Sequence, residues 1–195
     1  MITQADTIRR HKATLRRQIR TELGRLVAAH RARAAAKAIG QLLQQPAWLN
    51  AQSVLSFAPL PDEMDIAPLL SLALTAGKQI ALPRYVPEGG GYVACRVQDP
   101  ETDLVLGRFG VLEPCERCVI VPFLRFDLVL VPGVAFDLQG RRLGRGKGFY
   151  DQILGAVHGR TCGIAFDEQI VREVPVEPHD IPVHCILTPT RWVQV

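Results

Sequence analysis

After its first residue, the run Asp127-Leu128-Val129-Leu130-Val131 holds only apolar side chains. Successive side chains of a strand point to opposite faces. A run like this has no face to offer to water, so it demands a sheet covered on both sides. Other short runs rich in Val, Ile and Leu recur at residues 53–57, 79–82, 92–97, 119–121, 161–166 and 185–188. Helical patterns lie between them. One spans residues 66–76, with Asp65 as N-cap and Gly77 as the stop; another spans 149–157. The alternation predicts an α/β fold, a mostly parallel sheet flanked by helices in three layers. Ligands of such sheets sit beyond the carboxyl ends of the strands, which directs attention to the segments after Phe57, Leu82 and Val131. No internal repeat or low-complexity linker divides the chain, so residues 1–195 are read as one domain. Pro87-Glu88-Gly89-Gly90-Gly91 reads as a flexible turn.

The first 45 residues differ in character. Ile8, Leu15, Ile19, Leu23, Leu26 and Val27 recur near the helical period, and alanine dominates from 28 to 38. The pattern predicts a long helical segment over 5–45, broken near Gly24. Lys12, Arg16 and Arg20 stand four apart and form one stripe beside the apolar face. Residues 1–37 carry ten Lys and Arg against Asp6 and Glu22, a balance of +8, whereas the rest of the chain carries −4. A basic excess confined to one helical segment points to an anionic partner: nucleic acid, phosphates or a polycarboxylate. No RNP-like segment, zinc-finger spacing or aromatic stacking platform accompanies it, so nucleic acid is not the expected partner. No apolar run approaches the roughly 18 residues of a membrane span, and residues 1–12 lack the apolar core of a secretory signal. A cytoplasmic protein with no membrane partner is expected. Five cysteines at wide spacing do not form a disulfide framework. The pair Cys115-Glu116-Arg117-Cys118 lacks a second, closely spaced ligand pair, so its thiols are read as ordinary reduced cysteines.

The chemistry is concentrated in Arg142-Leu143-Gly144-Arg145-Gly146-Lys147-Gly148-Phe149-Tyr150-Asp151. Alternating glycines let backbone N–H groups converge on an anion, and the helix start that follows adds partial positive charge. Arg145 and Lys147 add full charges. Asp151, in the first helical turn, stands where it could reach a cation bridging phosphates. The phosphate loop G-x-x-x-x-G-K-[ST] is excluded because Gly148 follows Lys147. The dinucleotide fingerprint G-x-G-x-x-G is excluded by spacing.

These residues, with Val131-Pro132-Gly133-Val134-Ala135-Phe136-Asp137 and Gly140 before them, closely resemble the signature of the 5-formyltetrahydrofolate cyclo-ligase family. Lys12-Ala13-Thr14-Leu15-Arg16 resembles that family's N-terminal K-x-x-L-R. Asp62-Glu63-Met64-Asp65, Leu82-Pro83-Arg84-Tyr85 and Leu112-Glu113-Pro114 follow in the family's order. The resemblance implies a fold related to sugar-phosphate isomerases and CoA transferases. It also implies a reaction, ATP-dependent cyclisation of 5-formyltetrahydrofolate to 5,10-methenyltetrahydrofolate with magnesium. By resemblance, residues Lys12 to Arg16 and Arg142 to Tyr150 line the ATP site. Arg16, Ala58, Glu63 and the loop residues Arg145, Gly146, Lys147, Gly148 and Phe149 face the folate. Arg145 and Lys147 carry the catalysis, and Asp151 binds the metal. The family's second acidic metal contact falls on His184 here, with Asp180 nearby as a substitute. A folate, including one with a polyglutamate tail, is the expected partner of a monomer. The alternatives are a paralogue using the same loop on another substrate and a basic RNA-binding module.

Overall fold

A computed structural model describes residues 3–89, 91–107 and 110–195. Two helices open the chain, α1 (Gln4–Gly24) and α2 (Ala28–Leu42), followed by the single turn α3 (Pro46–Leu49). The break falls where the sequence placed it. Arg31 holds the corner: its guanidinium donates to the carbonyl of Leu23, in the last turn of α1, and to that of Leu26, in the link to α2.

Eight strands then build the main sheet. They are β1 (Ser53–Leu55), β2 (Gln79–Val86), β3 (Gly91–Val97), β6 (Ile120–Val121), β7 (Leu128–Pro132), β10 (Arg160–Ile164), β12 (Cys185–Leu187) and β13 (Trp192–Gln194), in the order β13-β12-β10-β7-β1-β2-β3-β6. The five central strands, from β12 to β2, run parallel; the edges are antiparallel. A short hairpin, β4 (Leu104–Leu106) with β5 (Leu112–Pro114), follows the one-turn helix α5 (Pro100–Asp103). A small second sheet, ordered β11-β8-β9, joins β8 (Ala135–Asp137), β9 (Arg142–Leu143) and β11 (Ile170–Val171).

The three layers follow from the two-residue period. On one face, Val54, Ile80, Leu128 and Leu130 pack with α1, α2 and α4 (Pro68–Thr75). On the other, Leu55, Ala81, Val129 and Val131 pack with α6 (Phe149–Ala156). Residues 128–131 are wholly buried, as an all-apolar run requires.

Two expectations need revising, the end of β2 and the start of α4. Strand β2 does not stop at Leu82 but runs through Pro83 to Val86, paired with β3. Strand β1 has ended by then, so Pro83 sits where its missing N–H leaves no ladder bond unmade. The turn expected over 87–91 is present as a 3-10 turn over Pro87–Gly89, with Gly90 outside the described residues. Asp65 accepts from the Ala67 N–H at 3.0 Å, but helix α4 begins two residues further on, at Pro68.

The carboxyl end of β7 is held by one ring. Phe136 is fully buried between Gly133 and Gly163, where a Cβ would stand 2.6 Å and 2.5 Å from its ring atoms. Gly163→Ala is expected to destabilise the protein by about 1–3 kcal/mol through overpacking. Adding Phe136→Leu should recover part of the loss. Urea unfolding of the two variants measures both effects, and an unchanged midpoint for Gly163→Ala would refute this account.

Candidate active site

Strands β1 and β7 are neighbours, yet the chain leaves them in opposite directions: β1 leads outward to β2, whereas β7 leads to β10 and β12. The connections therefore part above this pair, leaving a crevice at the carboxyl ends. A cleft of about 760 Å³ opens there. Its floor includes Phe57 and Ala58 beyond β1, Pro83 on β2, and Pro132 and Gly133 at the end of β7. All three segments singled out from the sequence reach it.

The β8–β9 hairpin aims the glycine loop at this cleft. Asp137, fully buried, binds the Gln139 and Arg141 N–H groups with one oxygen and the Arg141 side chain at 2.6 Å with the other. That fixes the turn, and β9 delivers residues 144–148 to the cleft wall. Gly146 (φ +94°) and Gly148 (φ +69°) adopt backbone conformations closed to most other residues, and Gly148 caps α6.

Helix α1 closes the cleft from above. Arg16 donates from Nε to the Gly144 carbonyl at 2.8 Å, and its guanidinium lies over Gly146. Burial, with Arg20 nearby, holds the Arg16 pKa below its ordinary value. Arg16 is half-buried, and Asp180 and Glu177 offset part of that shift. One turn earlier Lys12 is buried, with Nζ 2.9 Å from Glu177 and 2.5 Å from Asp180. Ala13 and Thr14 are exposed and stand off the cleft, while Leu15 packs into the core. The reason is the 3.6-residue period: Lys12 and Arg16 share a face that the three residues between them cannot share.

Most other charges in the cleft are already paired. Arg145 donates to Asp62 and, at 3.1 Å, to Glu63. Glu63 is buried, accepts from the Leu60 N–H at 3.0 Å, and has its pKa raised by that burial. Arg142 is buried behind the loop and donates to Asp151 at 2.6 Å. Asp151 lines the cleft, but among the described residues it belongs to no cluster of three potential ligands. His184 is not in the cleft. It precedes β12 at the opposite end of the sheet, its Nδ1 2.9 Å from the Thr161 hydroxyl, so it cannot supply a second metal contact. Asp180 does line the cleft, committed to Lys12.

Sequence reading missed the aromatic wall. Tyr92 lines the cleft with its ring edge-on to Phe149 at 4.8 Å and to Tyr85 at 5.4 Å. The pairing Tyr85↔Tyr92 across β2 and β3 puts the two tyrosines together, and only the register shows it. Tyr150, half-buried at the cleft with the Arg142 guanidinium over its ring, has its phenol pushed above the ordinary range by desolvation. Glu177 was also missed, because nothing local marks it as the partner of Lys12.

The sequence model of the 5-formyltetrahydrofolate cyclo-ligase family matches residues 8–189, nearly the whole chain. The chain belongs to this family. It is 35% identical to the 5-formyltetrahydrofolate cyclo-ligase of Escherichia coli K12, over 80% of this chain and 87% of that one. It is 29% identical to the mouse protein of the same name, over 94% and 96%. The solved structure of Aquifex aeolicus 5,10-methenyltetrahydrofolate synthetase superposes with a TM-score of 0.85 at 34% identity, covering 94% of this chain and 92% of that one. The mostly parallel sheet and its flanking helices are thus those of the family.

The Lys12 cluster makes a testable demand. The Lys12 hydrogen bond is the main reason that the Glu177 pKa lies below its ordinary value. A depressed carboxylate pKa contributes stability above the unfolded value, and that stability is lost as pH falls through the folded one. Lys12→Met should therefore destabilise the protein at about pH 7 and lose much of that penalty by about pH 3. Urea unfolding at both values checks this; a penalty independent of pH would contradict it.

Proposed function

We propose that this chain converts 5-formyltetrahydrofolate and ATP into 5,10-methenyltetrahydrofolate, ADP and phosphate in the cleft above β1 and β7. The observation that carries the reading is the glycine loop 144–148 on the cleft wall, with Arg16 of α1 held over Gly146 by its bond to Gly144. A polyphosphate cradled by the loop would take the Arg16 guanidinium as a further partner.

The substrate's formamide is a poor electrophile because its nitrogen lone pair is delocalised. Attack of the formyl oxygen on the γ-phosphorus expels ADP and turns that oxygen into a leaving group. N10 then attacks the formyl carbon and loses its proton, and the C–O bond breaks to release phosphate. The protein's work is positioning and charge stabilisation. Lys147 and the N–H groups of Gly146 and Gly148 take the phosphates, with Arg16 above them. Arg142, Leu143, Gly144, Phe149 and Tyr150 shape the loop and hold it. Arg145 joins the phosphates by leaving Asp62 and Glu63, which then become available to the folate beside Ala58. Ala13, Thr14 and Leu15 drop out of the contact set, having no face on the cleft.

Asp151 suits magnesium held largely by substrate oxygens, since one carboxylate with phosphates and water is a usual magnesium shell. Its pairing with Arg142 orients it. The bound ion would neutralise developing phosphate charge. The exposed arginines of α1, Arg9, Arg10, Arg17 and Arg20, suit a polyglutamate tail. We take residues 1–195 as one domain acting as a cytoplasmic monomer, of the sugar-phosphate isomerase and CoA-transferase kind. Five cysteines at wide spacing, with no disulfide framework in their pattern, suit a reducing compartment.

Purified protein mixed with 5-formyltetrahydrofolate, magnesium and ATP should develop the absorbance of the methenyl product, and omission of ATP should abolish it. Failure in the complete mixture would refute the proposal. Lys147→Ala should lower kcat/KM for ATP by about 10–150-fold, the equivalent of one charge-assisted contact of roughly 1.5–3 kcal/mol. An unchanged value would remove the loop from the phosphate site.

Asp151→Asn should raise the magnesium concentration needed for half-maximal rate. A magnesium titration decides it, and a curve superimposable on that of the unsubstituted enzyme would take the metal away from Asp151.

A further inference from the structure

Away from the cleft, the hairpin β4–β5 closes on a group of ligand-type side chains. Pairing of Leu104 with Pro114 brings the residues just outside the two strands together, Asp103 before β4 and Cys115 after β5. The Cys115 N–H donates to the Asp103 carbonyl at 2.8 Å. A tight turn, Cys118 N–H to Cys115 carbonyl at 3.0 Å, returns the second thiol to the first. Arg84 donates to the Cys115 carbonyl at 2.7 Å and fixes the turn to β2. The ligand atoms of Asp103, Cys115 and Cys118 all lie within 4.8 Å of one another, the only such trio among the described residues.

We propose that Asp103, Cys115 and Cys118 form a binding site for a thiophilic divalent cation, of which Zn²⁺ is the type, and that the ion clamps the base of the hairpin. The two sulfurs are 3.6 Å apart. An ion at the usual zinc–sulfur distance of about 2.3 Å from both would subtend an angle of roughly 103°, close to tetrahedral. A carboxylate oxygen makes the third ligand, and water the fourth. The carboxylate is already oriented: its Oδ2 accepts the N–H groups of Gln98 at 2.8 Å and Asp99 at 3.0 Å. Such outer contacts are what hold metal ligands in place. Two thiolates and a carboxylate exceed a divalent charge by one, and Arg117, 3.1 Å from Asp103 Oδ1, supplies the balance. Cys118 is buried and Cys115 half-buried, which leaves an entry path past Cys115.

The clamp matters because of what lies on the hairpin. Val111, Leu112 and Glu113 line the cleft, and Glu113 accepts the Tyr85 N–H at 3.3 Å. Holding the base of the hairpin would hold this part of the cleft wall. The sequence alone shows only C-x-x-C. The third ligand comes from twelve residues upstream and becomes visible once the strands pair.

The test uses full-length protein, reduced and stripped with a chelator, and titrated with Co²⁺. One equivalent should give an intense sulfur-to-cobalt charge-transfer band, which Zn²⁺ abolishes by displacement. Cys115→Ser, at the more exposed thiol, should lose most of the band while keeping its circular dichroism. Cys162→Ser, in the separate buried pair with Cys185, should keep it. Asp103→Asn should retain thiolate absorption but bind Co²⁺ at least about tenfold more weakly. No band in the unsubstituted protein, a band untouched by Cys115→Ser, or equal affinity in Asp103→Asn would overturn the proposal. So would an air-stable loss of two hydrogens at Cys115 and Cys118 that persists under thiol reductant, because a locked disulfide has no thiolates to give.

Discussion

The parallel pairing of β1 with β7 is the constraint on which the architecture rests. The register sets Val54 beside Leu128 and Leu55 beside Val129, and all four side chains are buried. Both strands are covered on both faces, so helices must occupy each side, and the crossovers must leave in opposite directions. The cleft is what remains where they part. Its walls are therefore assembled from segments far apart in the chain, and its position is a property of topology rather than of any one motif.

Helix α1 has to be anchored over that opening, and hydrophobic packing does only part of this. Ile19 and Leu23 are buried against the core. The amino-terminal half of the helix is held by polar contacts: Lys12 to two acids and Arg16 to the Gly144 carbonyl. A lysine buried with two carboxylates keeps its charge balanced, whereas half-buried Arg16 donates to a carbonyl and feels the same two acids from further away. The two basic residues on one helical face thus have different physical roles. Lys12 fixes the helix, and Arg16 presents its guanidinium over the glycine loop.

The same economy of charge runs through the cleft. Arg142 is spent on Asp151, and Arg145 on Asp62 and Glu63. A site so internally paired can remain folded without a ligand and still present cations to one, provided the exchange of partners is nearly balanced. Exposed pairs such as Arg145–Asp62 are weak in water and readily exchanged. The Arg142–Asp151 pair, whose guanidinium is buried, is not, which suits it to holding the loop.

Much of the fold and the loop was legible in the sequence because the signals are local. The all-apolar run 128–131 dictates a two-faced strand, a 3.6-residue period dictates α1 and α2, and alternating glycines mark a loop with left-handed residues. The glycine loop also carried the family resemblance. The structure alone decided which residues of Lys12 to Arg16 face the cleft, that His184 lies at the wrong end of the sheet, and that Tyr85 and Tyr92 join Phe149. It also showed that Glu177 and Asp180, 165 and 168 positions away, neutralise Lys12. Dihedral preferences and side-chain periodicity act over a few residues and can be read from a short window. Charge partners, strand register and the end of a sheet to which a residue belongs are fixed only when distant segments pack together.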